Sequence, residues 1–481
     1  MSDLLDIPAT ELSQRLRRRE LSCRELMQAT LDRVAALNPR FNALVSLRDP
    51  EALLKEADGR DEQLRRGERM GWMHGFPLAV KDLSPAAGLP TTMGSPLFEH
   101  GIARDDALFV QRMRRAGAIV IGKSNTPEFG LGSQTYNPVF GTTLNAYDPT
   151  LTAGGSSGGA ACALALRMLP VADGSDMGGS LRNPAAYNNV YGLRPSFGRV
   201  PSVPSDDVFF QQLGCEGPMG RSPLDVACLL AVQAGFDARS PLSRIDGLPD
   251  PDGLALDMQV RGLRVGWLGS IWRELPLEEG ITALCRSALA VFGEMDGIVG
   301  EARLDFARER NWNAWVVLRQ FIVGGKLAGE YAQPSRRAQL KPEAQWEIEG
   351  YLRTTAADLR SAAVDRSALY QAFNALFDEW DLLALPTAQV FPFDAGTHWP
   401  TRVAGVSMDT YHRWMEIVTP MTLAGVPTIS VPVGFDARGR PMGMQLVARP
   451  GADMQLLGVA QAYHERTGWP QKVPPLSVRD R

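Results

Sequence analysis

Apolar positions change their spacing several times along this chain. From 8 to 37 they recur at helical intervals with one break. At that break Ser22-Cys23-Arg24-Glu25 sets a hydroxyl three residues ahead of a carboxylate, the pattern of a capped helix start. Two helices are expected there. Leu26, Ala29, Val34 and Leu37 fall near helical spacing in the second, and Arg15, Arg17, Arg18 and Arg19 form a solvated face. From 71 to 200 short apolar runs at 76–80 and 118–121 read as strands between turns rich in glycine, serine and asparagine. An alanine-rich run at 158–168 reads as a helix opening directly behind a glycine block. Helix formers dominate 235–380, where Trp312, Trp315 and Phe321 lie near one helical face, a core stripe before a pocket wall. Strands return at 382–385, 428–433 and 442–447.

Strands near both ends and helices between them predict an α/β protein of one large domain over residues 1–481. Its core comes from 70–235 and 380–465, and 235–380 is a variable, mostly helical cap. The chain has 481 residues, 44% hydrophobic and 22% charged, enough to bury a sizeable core. A net charge of −4 gives no basic excess to hold a nucleic acid or an anionic membrane. The start, Met1-Ser2-Asp3-Leu4-Leu5-Asp6, lacks the apolar run of a signal peptide, and no membrane span is expected. Cys23, Cys162, Cys215, Cys228 and Cys285 are scattered, odd in number and without metal-ligand spacing. They fit reduced, buried thiols in a cytoplasmic protein that needs no metal.

Three blocks carry chemistry. Gly75-Phe76-Pro77-Leu78-Ala79-Val80-Lys81-Asp82 ends an apolar strand on a lysine. Burial disfavours the charged amine, so such a lysine can act as a base. Side chains 81 and 82 of an extended strand point to opposite faces, so Asp82 need not hold Lys81 charged. Gly154-Gly155-Ser156-Ser157-Gly158-Gly159 offers hydroxyls that could relay a proton, or could cap the following helix. Asp176-Met177-Gly178-Gly179-Ser180-Leu181-Arg182 sets a serine behind two glycines, where backbone N–H groups can converge on an oxyanion. Asp176 and Arg182 could brace that turn as an ion pair. A serine needs a neighbouring base to become a nucleophile. None of the five histidines lies inside these blocks, and His74, nearest to Lys81, fits an exposed or capping loop residue.

With these blocks the sequence resembles the amidase signature family. The likeness extends through Val190-Tyr191-Gly192-Leu193-Arg194-Pro195, Gly122-Lys123-Ser124-Asn125-Thr126-Pro127-Glu128-Phe129, Gly141-Thr142-Thr143-Leu144-Asn145 and Gly425-Val426-Pro427-Thr428-Ile429-Ser430-Val431-Pro432. The resemblance implies a central twisted mixed sheet covered by helices on both sides. It implies a metal-independent, cofactor-free hydrolase of linear carbon–nitrogen bonds with a Ser-cisSer-Lys triad. Carried onto this chain, Ser180 is the acyl nucleophile, Ser156 the bridging serine behind a cis peptide bond and Lys81 the general base. The backbone of Met177, Gly178, Gly179 and Ser180 would form the oxyanion hole. Gly130, Leu131 and Gly132 would border the acyl pocket, and Asp176, Arg182 and Ser157 would support the site. The substrate would be a small-molecule amide, and a homodimer is compatible with the resemblance. Arg194, Ala146, Ala153 and Thr422 depart from the usual family residues at positions outside the triad.

Four rival readings compete with this one. Gly117-Ala118-Ile119-Val120-Ile121-Gly122-Lys123-Ser124 fits a phosphate-loop pattern, but its variable positions form an apolar strand and Pro127 follows too soon for the helix. Gly155-Ser156-Ser157-Gly158-Gly159 fits a nucleophile elbow centred on Ser157, which would need Asp394 and His464. A chain acting only as a scaffold is disfavoured by the intact triad. Within the family the alternative is the glutaminase (A) subunit of a tRNA-dependent amidotransferase.

Overall fold

The computed structural model describes residues 4–475. Residues 1–3, the start of the N-terminal run read above, and 476–481 lie outside the described residues. Eight strands form one mixed sheet in the order Ile298–Glu301, Arg264–Trp267, Leu382–Pro386, Pro441–Val447, Thr428–Phe435, Tyr191–Arg194, Cys215–Gly220 and Val171–Asp176. Arg264–Trp267 runs parallel to both of its neighbours, and the other pairs are antiparallel. Both faces are covered. Along Leu382–Pro386, Leu382 and Ala384 enter one core with the helices Ile281–Glu294 and Asp453–Thr467. Leu383 and Leu385 enter the other with Arg308–Tyr331 and Ala356–Glu379. The period of two thus places apolar side chains on both sides, which makes the strand read as one continuous hydrophobic run.

A second sheet joins Leu44–Val45, Ile119–Ser124 and Pro77–Lys81 in that order. It meets the large sheet where the Asp173 carboxylate accepts from the Lys81 N–H at 3.1 Å. A side chain therefore supplies the acceptor at this strand end, and Lys81 is placed against the 171–176 strand.

The helices Ala9–Arg18 and Cys23–Phe41 form as expected, with the Ser22/Glu25 capping box closed in both directions. The helix behind the glycine block is shorter than the sequence predicts and spans Gly158–Ala165. The stretch 235–380 is more than a helical cap. Its residues 264–267 and 298–301 form the far edge of the main sheet. Those strands are short, and the 298–301 strand is largely solvent-facing, so neither gives a strong apolar signal. His74 is not an exposed loop residue. It is buried, with Nδ1 accepting from the Met70 N–H at 3.1 Å and Nε2 2.9 Å from the Arg60 carbonyl.

Candidate active site

Lys81 sits at the end of the Pro77–Lys81 strand with no solvent exposure. Its Nζ lies 2.8 Å from Ser156 Oγ, 2.9 Å from Ser157 Oγ and 3.0 Å from Ser175 Oγ. A neutral amine has two hydrogens and one lone pair, so at least one of these hydroxyls must then donate to it. Burial pushes the Lys81 ammonium down to about 8, against the opposing pull of Glu216, Asp173 and Asp176. Ser157 occupies the cap position of the Gly158–Ala165 helix without making a side-chain cap. Its hydroxyl turns to Lys81 instead, which removes the capping alternative for this residue. The Gly155–Ser156 peptide is cis, as the resemblance implied.

Ser180 follows the 171–176 strand, and its carbonyl accepts from the Ser157 N–H at 3.2 Å. That bond ties the Gly178–Ser180 turn to the Ser156–Ser157 segment. The turn demands glycine at one position and leaves little room at the next. Gly179 has φ +86°, and a Cβ on Gly178 would stand 3.2 Å from the Trp315 ring. The N–H of Gly179 donates to Asp176 Oδ1 at 3.0 Å, and that of Leu181 to Asp176 Oδ2 at 3.2 Å. Gly179 is therefore already engaged, in contrast to the four-donor oxyanion hole expected from the sequence.

Asp176 and Arg182 are wholly buried and joined by two bonds of 2.9 Å. Burial alone would raise the Asp176 carboxyl, but the guanidinium groups of Arg182 and Arg194 hold it well below the usual carboxylate range. Arg182 also reaches the Val418 carbonyl, Gln445 Oε1 and Thr422 Oγ1. Arg194 donates to the Asp176 and Leu213 carbonyls. Two departures from the family pattern, Arg194 and Thr422, thus lie within the network that shapes the Ser180 turn.

Gly130 lies beside Ser156, where a Cβ would come 3.5 Å from Ser156 Oγ and 2.7 Å from the Leu83 side chain. Leu131 is buried and its carbonyl accepts from Lys341 at 3.1 Å. A Cβ on Gly132 would meet open space. Beside these residues a small cavity is walled by Tyr136, His398, Trp399 and Tyr411. Trp315 stacks on Trp312 at 5.2 Å and also faces Gly178, so this aromatic stripe is both core and site wall.

The phosphate-loop and elbow readings do not assemble. Lys123 of the phosphate-loop pattern is buried in the Ile119–Ser124 strand and faces Asp82 at 3.6 Å. His464 Nδ1 pairs with the Tyr191 hydroxyl at 3.0 Å rather than serving Ser157. Sequence reasoning singled out neither Ser175 nor Glu216, although both belong to this site. Their partners are set by strand register, which local motifs do not encode.

A glycine-bound serine turn and a buried lysine among hydroxyls thus stand together in an α/β fold whose sheet is covered on both faces. The chain belongs to the amidase family, whose profile matches residues 25–457. This is a family of enzymes that hydrolyse carbon–nitrogen bonds. A glutamyl-tRNA(Gln) amidotransferase subunit of Acidothermus cellulolyticus is 34% identical, covering 97% of this chain and 96% of its own. An acylamidase of Rhodococcus erythropolis is 32% identical, with 98% of each chain covered. The crystal structure of a bacterial aryl acylamidase of the amidase signature family superposes with a TM-score of 0.91 at 27% identity, covering 97% of this chain and 98% of the other. Among the described residues no helix is long and apolar enough to cross a membrane.

Proposed function

We propose that this chain hydrolyses a linear carboxylic acid amide to the acid and ammonia or an amine, through an acyl-enzyme on Ser180. The observation that carries this reading is the buried Lys81 amine, 2.8 Å from Ser156 Oγ and, among the described residues, without a carboxylate in ion-pair contact. As the Ser180 hydroxyl oxygen attacks the carbonyl carbon, its proton passes to Ser156 and the Ser156 proton passes to Lys81. The N–H groups of Met177, Gly178 and Ser180 receive the developing oxyanion, where each such donor is typically worth a factor of ~100 to 1000 in rate. Lys81 returns a proton through Ser156 to the leaving nitrogen, and the C–N bond breaks. Water then attacks the acyl-enzyme by the same relay, which releases the acid and restores Ser180. The reaction needs only a small-molecule amide and water, and the reading places it in the cytoplasm.

The second reading is a glutaminase subunit of a tRNA-dependent amidotransferase, favoured by the names of many curated relatives. Glutamine needs charged partners for its ammonium and carboxylate groups. Beside the 131–136 wall the nearby Lys341 already bonds the Leu131 carbonyl and lies 3.7 Å from Glu343, which supports the first reading. The purified chain is to be tested without ATP or tRNA on aryl amides, alkyl amides and glutamine. Release of the aryl or alkyl acid with fluorophosphonate labelling at Ser180 is expected. Glutamine turnover alone, arising only with added partner subunits, would move the assignment to the second reading. An unlabelled Ser180 overturns both.

A further inference from the structure

We propose that Glu216 is a positioning residue which, with Asp173 beside it, sets how readily Lys81 gives up its proton. The inference rests on Lys81 as the base of the reaction. Glu216 stands directly opposite Ser175 in the antiparallel pairing of Cys215–Gly220 with Val171–Asp176. Opposed residues of paired strands share a face, with Cβ atoms typically ~5 Å apart. The Ser175 hydroxyl is 3.0 Å from Lys81 Nζ, so the Glu216 side chain rises on the face where that amine lies. Asp173, two residues before Ser175, shares the face too and holds the Lys81 N–H.

Both acids carry a buried oxygen without a hydrogen-bond partner among the described residues, Oε2 of Glu216 and Oδ1 of Asp173. Asp173 is fully buried and Glu216 partly so, and a carboxylate oxygen left unpaired there is costly, so an apolar residue of similar size would fit a purely structural role better. Burial pushes the Glu216 carboxyl up to about 7 and that of Asp173 up to about 6, with Lys81 drawing both back down. Other titratable groups face the cluster as well. Lys326 of the Arg308–Tyr331 helix acts on Glu216, Lys123 on Asp173, and Asp176 and Cys215 on Lys81. Ionised Glu216 favours the ammonium form of Lys81. The amine is then a stronger base when Ser156 hands it a proton, and it titrates at a higher pH than burial alone would set.

The test is the pH dependence of kcat/KM in wild type, Glu216→Gln and Asp173→Asn. Hydrolysis rises with pH as Lys81 loses its proton. Loss of one negative charge is expected to move this rise about one pH unit lower, so that a unit below the wild-type midpoint relative activity is up ~5-fold. Both variants should move the same way, and in Asp173→Asn the amide oxygen can still accept the Lys81 N–H. A structural role alone would change stability or KM and leave the midpoint in place. If one variant does not fold, the other decides. An unmoved midpoint in a folded variant that fluorophosphonate still labels at Ser180 overturns the inference while leaving the reaction intact. Wild-type turnover by Lys81→Ala would overturn the reaction, and the inference with it.

Discussion

Lys81 and Lys123 occupy adjacent parallel strands one register step apart, since Val80 pairs with Lys123 and Lys81 with Ser124. Neither side chain is exposed. Neighbouring positions along a strand face opposite ways, so the two amines enter different environments. On its face Lys123 meets Asp82 at 3.6 Å and donates to the Ser84 carbonyl at 2.6 Å. Asp82 in turn accepts from the N–H and hydroxyl of Thr92. On the other face Lys81 meets three hydroxyls and, among the described residues, no carboxylate within ion-pair distance. Burial pushes both amines down, but for Lys123 the carboxylate in contact pulls back. Burial alone therefore does not make a lysine a base. The charge and reach of its partners decide whether it keeps its proton.

Exchanging the two lysines for uncharged residues gives the largest contrast. Lys81→Ala removes the proposed proton acceptor and should lower kcat/KM ~10⁴-fold or more, as loss of a member of an acid–base unit does. Lys123→Met should leave turnover per folded molecule near wild type. It strands Asp82 as a buried charge, which costs roughly 3–5 kcal/mol of stability. Amide hydrolysis and urea unfolding on the same preparations separate the two effects. An active Lys81→Ala beside a stable but inactive Lys123→Met would reverse the roles argued above.

The hydroxyl shell of Lys81 sharpens the contrast further. Ser156→Ala breaks the proposed relay and should slow turnover ~10²–10⁴-fold. Ser157→Ala removes a hydrogen-bond acceptor of the ammonium and the longer bonds of its hydroxyl to the Ser175 backbone. Its effect should be ~10-fold at most, with the rise of activity with pH displaced to lower pH because the charged amine has lost one partner. Steady-state rates from pH 6 to about 10 read both. Equal losses in the two variants would place the relay equally on either serine.

Much of this site was legible in the chain. The lysine, both serines and the braced Asp176–Arg182 turn lie in short local motifs, and glycine beside a serine has a conformational meaning that sequence carries directly. What stayed hidden depends on partners far apart in the chain. Lys123 fits a phosphate-binding pattern by its neighbours, yet its position is explained by Asp82 across a strand register. Glu216 looks like one acid among many until the pairing sets it opposite Ser175. The edge strands at 264–267 and 298–301 were hidden because one is short and the other mostly solvent-facing. Trp315 read as core, and it is buried, but its contact with Gly178 spans two regions that no periodicity links.

The gentlest test concerns the network beneath the nucleophile. Arg182 donates to Thr422 Oγ1 at 3.1 Å, while its other bonds go to Asp176, Val418 and Gln445. Thr422→Val keeps the shape and removes that acceptor, leaving one buried guanidinium N–H with a lost partner. A hydrogen bond to a charged group contributes about 1.5–3 kcal/mol, so a stability loss near the low end is expected because four bonds to Arg182 remain. Asp176 stays paired, so the Gly179 and Leu181 amides keep their acceptor and turnover should fall less than ~10-fold. Thr422→Asn brings an amide oxygen to the same place and should recover most of the loss in thermal or urea unfolding. Recovery of stability without change in rate would show that this face serves the fold of the turn. A rate loss that Asn also repairs would extend the catalytic face through Arg182 to the strand end that holds Ser180.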